Sequence, residues 1–303
     1  MQLTAERIIA NQDKMQELFQ DNRWKNGIHA FIREQIITEL FHTKNWGMIQ
    51  SENRIYLLQE FENIMARQQK RTPYQVIELK EGSEYDNKPF DMFTSHKQKK
   101  YFVREDLTRR STLHLIDGKQ DIGELLNVYL LNCIYHEGYH AYQMEKYKKH
   151  GVSSNMSRED KEVSLDFYGI RGILGKNEYF HSKSMMKEIY DAYRIQPTEY
   201  YAFKSTREYI EKTFVRLQNK LGSEPSLAFY KKQDDEAKSK IVEQYNAGNH
   251  TNFSYEDIYK LNFISNIVNK VAKGVGITKQ QLLEDINLQE KDYIPGIQEE
   301  RNI

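Results

Sequence analysis

The sequence predicts an α+β protein that is mainly α-helical, with a small β-sheet before one long central helix. The chain of 303 residues contains only 5 Pro and 15 Gly, and the strong helix formers Lys, Glu, Gln and Leu are frequent. Apolar residues recur at helical spacing over most of the chain, and strand-like runs occur only between residues 73 and 116. We therefore expect helices on both sides of a short β region.

The N-terminal region, residues 1–70, is predicted to be helical. Apolar residues at spacings of three and four indicate helices at 3–20, 25–43 and 52–69. The last of these ends before Pro73, because the residue before a proline is disfavoured in the helical conformation. This region shows no spacing typical of a metal site, so we expect a helical scaffold or docking region.

Three short runs after Pro73 predict strands, at 74–79, 101–103 and 111–116. They would form a small sheet just before the main helix. The strand at 111–116 could bind an extended substrate along an exposed edge, because strand addition needs only backbone hydrogen-bonding groups. An ordinary covered strand is the alternative.

The central helix is predicted from Asp121 to Gly151. Asp121 and Glu124 form a capping signal before an apolar run, and basic residues crowd the last turn before Gly151. This helix carries His136 and His140. Residues four apart stack on one face of a helix, so the two imidazoles can bind one ion.

The residues from His136 to His140 read H-E-x-x-H. In this pattern the two histidines ligate Zn²⁺, and the intervening glutamate, here Glu137, is the general base for the metal-activated water. The histidines share a stripe with apolar residues, so we expect this face to point inward. Gly138 costs about 1 kcal/mol relative to Ala inside a helix. A close approach by another backbone is the expected reason.

Capping residues and apolar periodicity predict more helices downstream, at 157–169, 182–193, 197–219, 225–246, 254–272 and 278–288. Residues after Pro295 are expected to form a frayed tail. The chain is therefore expected to have three regions: helical residues 1–70, a core at 71–220 that carries the metal motif, and a helical region at 221–303 packed on that core.

A catalytic zinc needs three protein ligands and one open position, and two carboxylates compete to be the third ligand. Glu199 lies at the start of helix 197–219, and Ala202 one turn later would let this helix approach the metal helix. Glu162 is followed four residues later by Asp166, which is placed to orient a ligand histidine. These residues alone leave both choices open.

The motifs HEGYHAYQ and QPTEYYA resemble those of the gluzincin type of H-E-x-x-H zinc metallopeptidase. They resemble in particular the compact metallopeptidase-like domains of bacterial toxin and mobile-element proteins. It implies a zincin-like core, with the small sheet over the active-site helix. It also implies Zn²⁺ as cofactor, with His136, His140 and Glu199 as ligands and Glu137 as general base. The resemblance further implies that the protein is a zinc-dependent metalloendopeptidase that acts on a protein or peptide substrate. It also implies a role as a bacterial effector or toxin, with a secretion-system or immunity partner.

The sequence does not identify the oxyanion donor, and it allows two alternative functions. An oxyanion donor is also needed, and His181, Tyr193 and Tyr201 are candidates that the residues do not rank. The alternative function is a non-catalytic zincin-like binding or regulatory protein that uses its N-terminal helices. The intact Glu137 argues against it, because such a protein has no need of the base. Metal-dependent hydrolysis of a non-peptide amide is a third reading.

Composition excludes several classes of partner. The 44 Lys and Arg balance the 44 Asp and Glu, so we expect no nucleic acid partner. The single cysteine, Cys133, excludes disulfide stapling. The sequence shows no secretory signal and no run of 18 apolar residues, so we expect no membrane insertion. The expected location is cytoplasmic, or secreted by a signal-peptide-independent route.

Overall fold

The protein is mainly α-helical with one three-stranded sheet over the part of the chain that the structure describes. The structure is a computed structural model, and it describes residues 3–21, 27–80, 92–109, 126–169 and 193–294. This architecture confirms the predicted α+β, mainly α-helical class.

Of the three helices predicted before the sheet, the one at 52–69 is confirmed within one residue, and the other two are divided or end earlier. The helices observed there are α1 (Ala5–Ala10), α2 (Met15–Gln20), α3 (Gly27–Leu40), α4 (Thr43–Trp46) and α5 (Ser51–Gln68). A 3₁₀ turn at Gln12–Lys14 divides the predicted helix 3–20. The predicted helix 25–43 stops at Leu40, because the ring of His42 accepts a hydrogen bond from the Lys44 amide and caps a new helix, α4.

The sheet has the strand order β1-β3-β2. Its strands are β1 (Gln75–Leu79), β2 (Met92–Ser95) and β3 (Lys100–Arg104). β1 is parallel to β3, and β2 is antiparallel to β3, with Thr94 opposite Tyr101. The predicted strands at 74–79 and 101–103 are confirmed. The sequence did not predict β2, which is only four residues long.

The helices after the sheet are α6 (Glu105–Arg109), α7 (Leu126–His150), α8 (Arg158–Tyr168), α9 (Pro197–Leu221), α10 (Pro225–Asn249), α11 (Tyr255–Asn262), α12 (Asn269–Val275) and α13 (Lys279–Asp285). They follow the predicted order, except for α6, which the sequence did not predict. Ser157, Ser254 and Thr278 cap α8, α11 and α13 as predicted. A π-helical segment, Phe263–Val268, interrupts the predicted helix 254–272. Among the described helices, none has the length and apolar character needed to cross a bilayer.

The chain divides into two compact units, each with its own core. The first comprises the residues up to Tyr142 together with Ser205–Lys232, and the second comprises Gln143–Lys204 together with the residues from Gln233 onward. Large apolar side chains from the helices and the sheet fill the first unit, among them Phe19, Phe41, Phe61, Ile134 and Phe214. In the second unit the largest cluster includes Leu165, Phe263, Val268, Leu283 and Tyr293. The predicted division at residues 70 and 220 stays a prediction.

Several predicted features lie outside the described residues. They are the strand at 111–116, the capping pair at Asp121 and Glu124, nearly all of helix 182–193, and the tail after Pro295. Substrate binding along the 111–116 strand therefore stays a prediction.

Candidate metal centre

The two histidines of the H-E-x-x-H motif point into the protein from α7. His136 and His140 are only 8% and 9% exposed, which confirms that their face of the helix points inward. Their Nε2 atoms lie 3.0 Å apart. Two nitrogens bound to one zinc ion at 2.0–2.1 Å in tetrahedral geometry would lie roughly 3.3 Å apart. The pair therefore has a spacing that suits two ligands of one ion.

Glu199 completes a group of three metal-binding side chains. It lies in the first turn of α9, which begins at Pro197, and is 7% exposed. One nitrogen from each of His136 and His140 and a carboxylate oxygen of Glu199 all lie within 4.8 Å of one another, so this buried group could hold a metal ion. Two imidazoles and a carboxylate are a donor set of catalytic zinc sites. The residues that the sequence singled out are chemically suited to such an ion.

The competing candidate ligand, Glu162, is occupied by other side chains. Its Oε1 accepts hydrogen bonds from Arg158 Nε at 2.8 Å and from the Tyr293 hydroxyl at 2.6 Å. Its Oε2 accepts from the Tyr201 hydroxyl at 2.8 Å and from the Tyr259 hydroxyl. A carboxylate offers about four lone-pair sites, and these donors fill them. In the described part of the chain, Glu199 joins the histidine pair and Glu162 does not.

Asp166 bonds to the start of α9. The sequence placed it where it could orient a ligand histidine. In the structure Asp166 is fully buried, and its Oδ2 accepts from the Thr198 amide at 3.0 Å and from the Thr198 hydroxyl at 2.7 Å. These bonds satisfy one of the amides that have no partner within the helix at its N-terminus. Asp166 therefore contacts the residue immediately before Glu199.

Glu137, the predicted base, accepts a hydrogen bond from strand β2, which the sequence did not predict. The Thr94 hydroxyl, on β2, donates to Oε2 of Glu137. In the sheet, Thr94 lies opposite Tyr101 of β3. Burial and the nearby Glu62 carboxylate raise the pKa of Tyr101 well above its usual range. The Tyr101 hydroxyl therefore keeps its proton and donates to Glu62, at 3.5 Å. Glu137 itself is only partly buried.

Gly138 allows side chains from a neighbouring segment to approach α7 closely. A Cβ at this position would lie 2.0 Å from Cε of Met65 and 2.9 Å from Nη2 of Arg71. The expected close approach is therefore present, but the three nearest atoms among the described residues belong to side chains and not to another backbone. Arg71 is fixed by two hydrogen bonds to Glu62, at 2.6 and 2.8 Å. A methyl group at Gly138 would displace Met65 or this ion pair.

The candidate oxyanion donors have different surroundings. The Tyr201 hydroxyl donates to Glu162, so that proton is already used. Tyr193 lies in the turn before α9, where its carbonyl accepts from the Gln196 amide. His181 lies outside the described residues. The oxyanion donor therefore stays unassigned.

The chain was compared with known proteins by sequence and by structure. No protein-family model, no curated protein and no solved structure matches it.

Proposed function

We propose that this protein is a zinc-dependent metalloendopeptidase. The observation that carries the proposal is the buried group of His136, His140 and Glu199, whose ligand atoms lie within 4.8 Å of one another. The general base expected from the motif, Glu137, follows His136 directly in the chain. Three protein ligands with two nitrogens and one oxygen are typical of catalytic zinc sites that leave a position open for water or substrate.

In this mechanism, side chains of α7 and α9 would have separate roles in metal binding and proton transfer. His136, His140 and Glu199 would hold a divalent cation, which would supply Lewis-acid chemistry for a scissile carbonyl and for a water molecule of lowered pKa. Glu137 would accept a proton from that water and deliver it to the leaving amine. The Thr94 hydroxyl donates to Oε2 of Glu137, and this bond would orient the carboxylate for that role.

Metal analysis of purified protein, combined with a Glu137→Gln variant, tests the proposal. Gln has the size of Glu but cannot act as a base, and Glu137 is outside the group that would hold the ion. We expect about one zinc per chain in both proteins. New protein N-termini should appear only in cells that express the wild type, as mapped by proteomics. Absence of zinc from both proteins, or the same N-termini in both, would contradict the proposal.

The role as a bacterial effector or toxin rests on the resemblance of HEGYHAYQ and QPTEYYA alone. The same proteomic comparison addresses it, since an effector protease is expected to cut one or a few host or competitor proteins. A short set of cleavage sites in native proteins, lost in the Glu137→Gln variant, would support the role. Cleavage of many unrelated proteins would favour a general digestive peptidase.

An exposed apolar surface favours a second candidate function, non-catalytic binding through the N-terminal helices. On α3, Ile28 is 66% exposed and Phe31 is 52% exposed, and neighbouring exposed apolar residues are typical of protein contact sites. A cellular effect that persists in Glu137→Gln and disappears in an Ile28→Ser, Phe31→Ser variant would support binding as the main function. The reverse pattern would support the peptidase.

A further inference from the structure

We propose that two carboxylates of α8, Glu162 and Asp166, act as positioning residues that hold the first turn of α9 so that Glu199 is oriented for the metal ion. This inference rests on the metal centre of the proposed function. The two carboxylates lie four residues apart and therefore on one face of α8. Asp166 bonds Thr198, the residue before Glu199, and Glu162 bonds Tyr201, two residues after it.

Asp166 holds the residue before the ligand. Its Oδ2 accepts from the Thr198 amide at 3.0 Å and from the Thr198 hydroxyl at 2.7 Å. A main-chain and a side-chain bond to one residue fix both its backbone and its side chain. The charge of Asp166 is also favourable here, since carboxylates are stabilising near the N-terminus of a helix.

Glu162 holds the residue two places after the ligand. Its Oε2 accepts from the Tyr201 hydroxyl at 2.8 Å. The Tyr201 hydroxyl is the donor in this bond, because an ionised carboxylate only accepts. Together with the bonds to Asp166, this contact ties the ligand-bearing turn to α8 on both sides of Glu199.

A third bond reaches the same turn from α7. The side-chain amide of Gln143 donates to the Thr198 carbonyl at 3.0 Å. Gln143 lies three residues after His140 and is buried. The Thr198 amide, carbonyl and hydroxyl are therefore all hydrogen-bonded, by residues from two different helices.

These bonds should raise metal affinity by fixing Glu199 in advance. A carboxylate on a loosely held turn loses conformational freedom when it binds an ion, whereas one already oriented does not. Removal of the hydrogen-bond partners that support metal ligands typically weakens metal binding by about 10–100-fold. We expect loss of the α8 contacts to have an effect of this size.

The test removes the two hydroxyl donors, Thr198→Val with Tyr201→Phe, and leaves every metal ligand in place. The matched control is Tyr293→Phe, which removes one hydroxyl from the same Glu162 carboxylate but lies outside α9. Thr198→Ser keeps the hydroxyl and serves as the rescue variant. Zinc dissociation constants are measured by competition with a chromophoric chelator. The visible absorption of the Co²⁺-substituted protein reports the geometry of the ligands, and thermal unfolding reports stability.

We expect the double variant to bind zinc about 10–100-fold more weakly and to show an altered Co²⁺ spectrum. Tyr293→Phe and Thr198→Ser should stay within about twofold of the wild type, even if Tyr293→Phe unfolds at a lower temperature. If the double variant does not fold, Thr198→Val alone should weaken zinc binding in the same direction. Wild-type affinity in the double variant, or in Thr198→Val if the double variant does not fold, would overturn the inference. Equal weakening in Tyr293→Phe would overturn it as well.

The outcomes separate this inference from the proposed function. A wild-type protein that binds no zinc overturns both. Weaker zinc binding in the double variant, with identical cellular N-termini for the wild type and Glu137→Gln, supports the positioning role and refutes the peptidase. Unchanged zinc binding in the double variant, with cleavage lost only in Glu137→Gln, refutes the positioning role and supports the peptidase.

Discussion

Glu199 and Glu162 are two buried carboxylates with opposite surroundings. Glu162 is fully buried and receives four hydrogen bonds, from one arginine and three tyrosines. Glu199 lies in a group with two histidine nitrogens. Burial alone therefore does not identify a metal ligand. What separates the two is the kind of group around each carboxylate, which is a guanidinium and three hydroxyls at Glu162 and two histidine nitrogens at Glu199.

The largest expected effect comes from exchanging each carboxylate for its amide. Glu199→Gln should weaken zinc binding by more than ~100-fold, because a neutral amide replaces a charged ligand. This exceeds the effect of losing a residue that only hydrogen-bonds to a metal ligand. Glu162→Gln should weaken it by less than about tenfold, since its remaining oxygen can still accept from Tyr201. Chelator competition measures both.

For the free energy of unfolding, the order of the two variants should be reversed, with the larger loss in Glu162→Gln. In Glu162→Gln the new NH₂ group faces donors that previously bonded to a carboxylate oxygen, so this variant should unfold at a lower denaturant concentration than Glu199→Gln. A loss of zinc from Glu162→Gln with zinc retained in Glu199→Gln would reverse the ligand assignment.

A second expected effect concerns the helix that carries the histidines. Relative to a helical Gly→Ala change without steric conflict, Gly138→Ala should destabilise the protein by about 1–3 kcal/mol, as overpacking of a core does, because the added methyl would lie 2.0 Å from Cε of Met65 and 2.9 Å from Nη2 of Arg71. The matched control is Gly248→Ala in α10, where nothing lies within 4 Å of the added methyl. It should be stabilising by up to about 1 kcal/mol. Urea unfolding of both variants provides the comparison, and equal effects would refute the close packing at Gly138.

The smallest expected effect concerns the charge partner of Glu162. Arg158→Met removes the guanidinium at 2.8 Å from a fully buried carboxylate. Because the Arg158 side chain is 44% exposed and the three tyrosines remain, we expect a destabilisation of about 1–2 kcal/mol.

The matched control for Arg158 is Lys260→Met, which breaks an ion pair within α11. In this pair Lys260 Nζ lies 3.1 Å from Oε1 of Glu256, and the Glu256 side chain is exposed. This change should cost less than about 0.5 kcal/mol in urea unfolding. Zinc affinity should be unchanged in Lys260→Met and nearly so in Arg158→Met. An Arg158 variant as stable as the Lys260 variant would show that the tyrosines alone satisfy Glu162.

The parts of the site that sequence could predict are those fixed by local geometry. His136 and His140 lie four apart on one helix, and helical periodicity alone places them on the same face. Glu199 could be nominated as a residue at a helix start, but its distance to the histidines depends on the packing of helices. The ambiguity with Glu162 reflects this limit.

Contacts between residues far apart in the chain could not be predicted from the sequence. Tyr259 and Tyr293 bond to Glu162 across 97 and 131 residues, and no local pattern marks them as its partners. Thr94 lies on a strand of four residues, too short to show clear alternation. Gly138 did indicate a close approach, but only the packing of α5 identifies Met65 as the group involved.

The most direct measurement is the zinc-edge anomalous scattering of a crystal of the zinc-loaded protein. We expect one anomalous peak per chain, at about 2.0–2.2 Å from a nitrogen of His136, a nitrogen of His140 and a carboxylate oxygen of Glu199. A peak coordinated by Glu162, or zinc found only on surface side chains, would contradict the proposed metal centre.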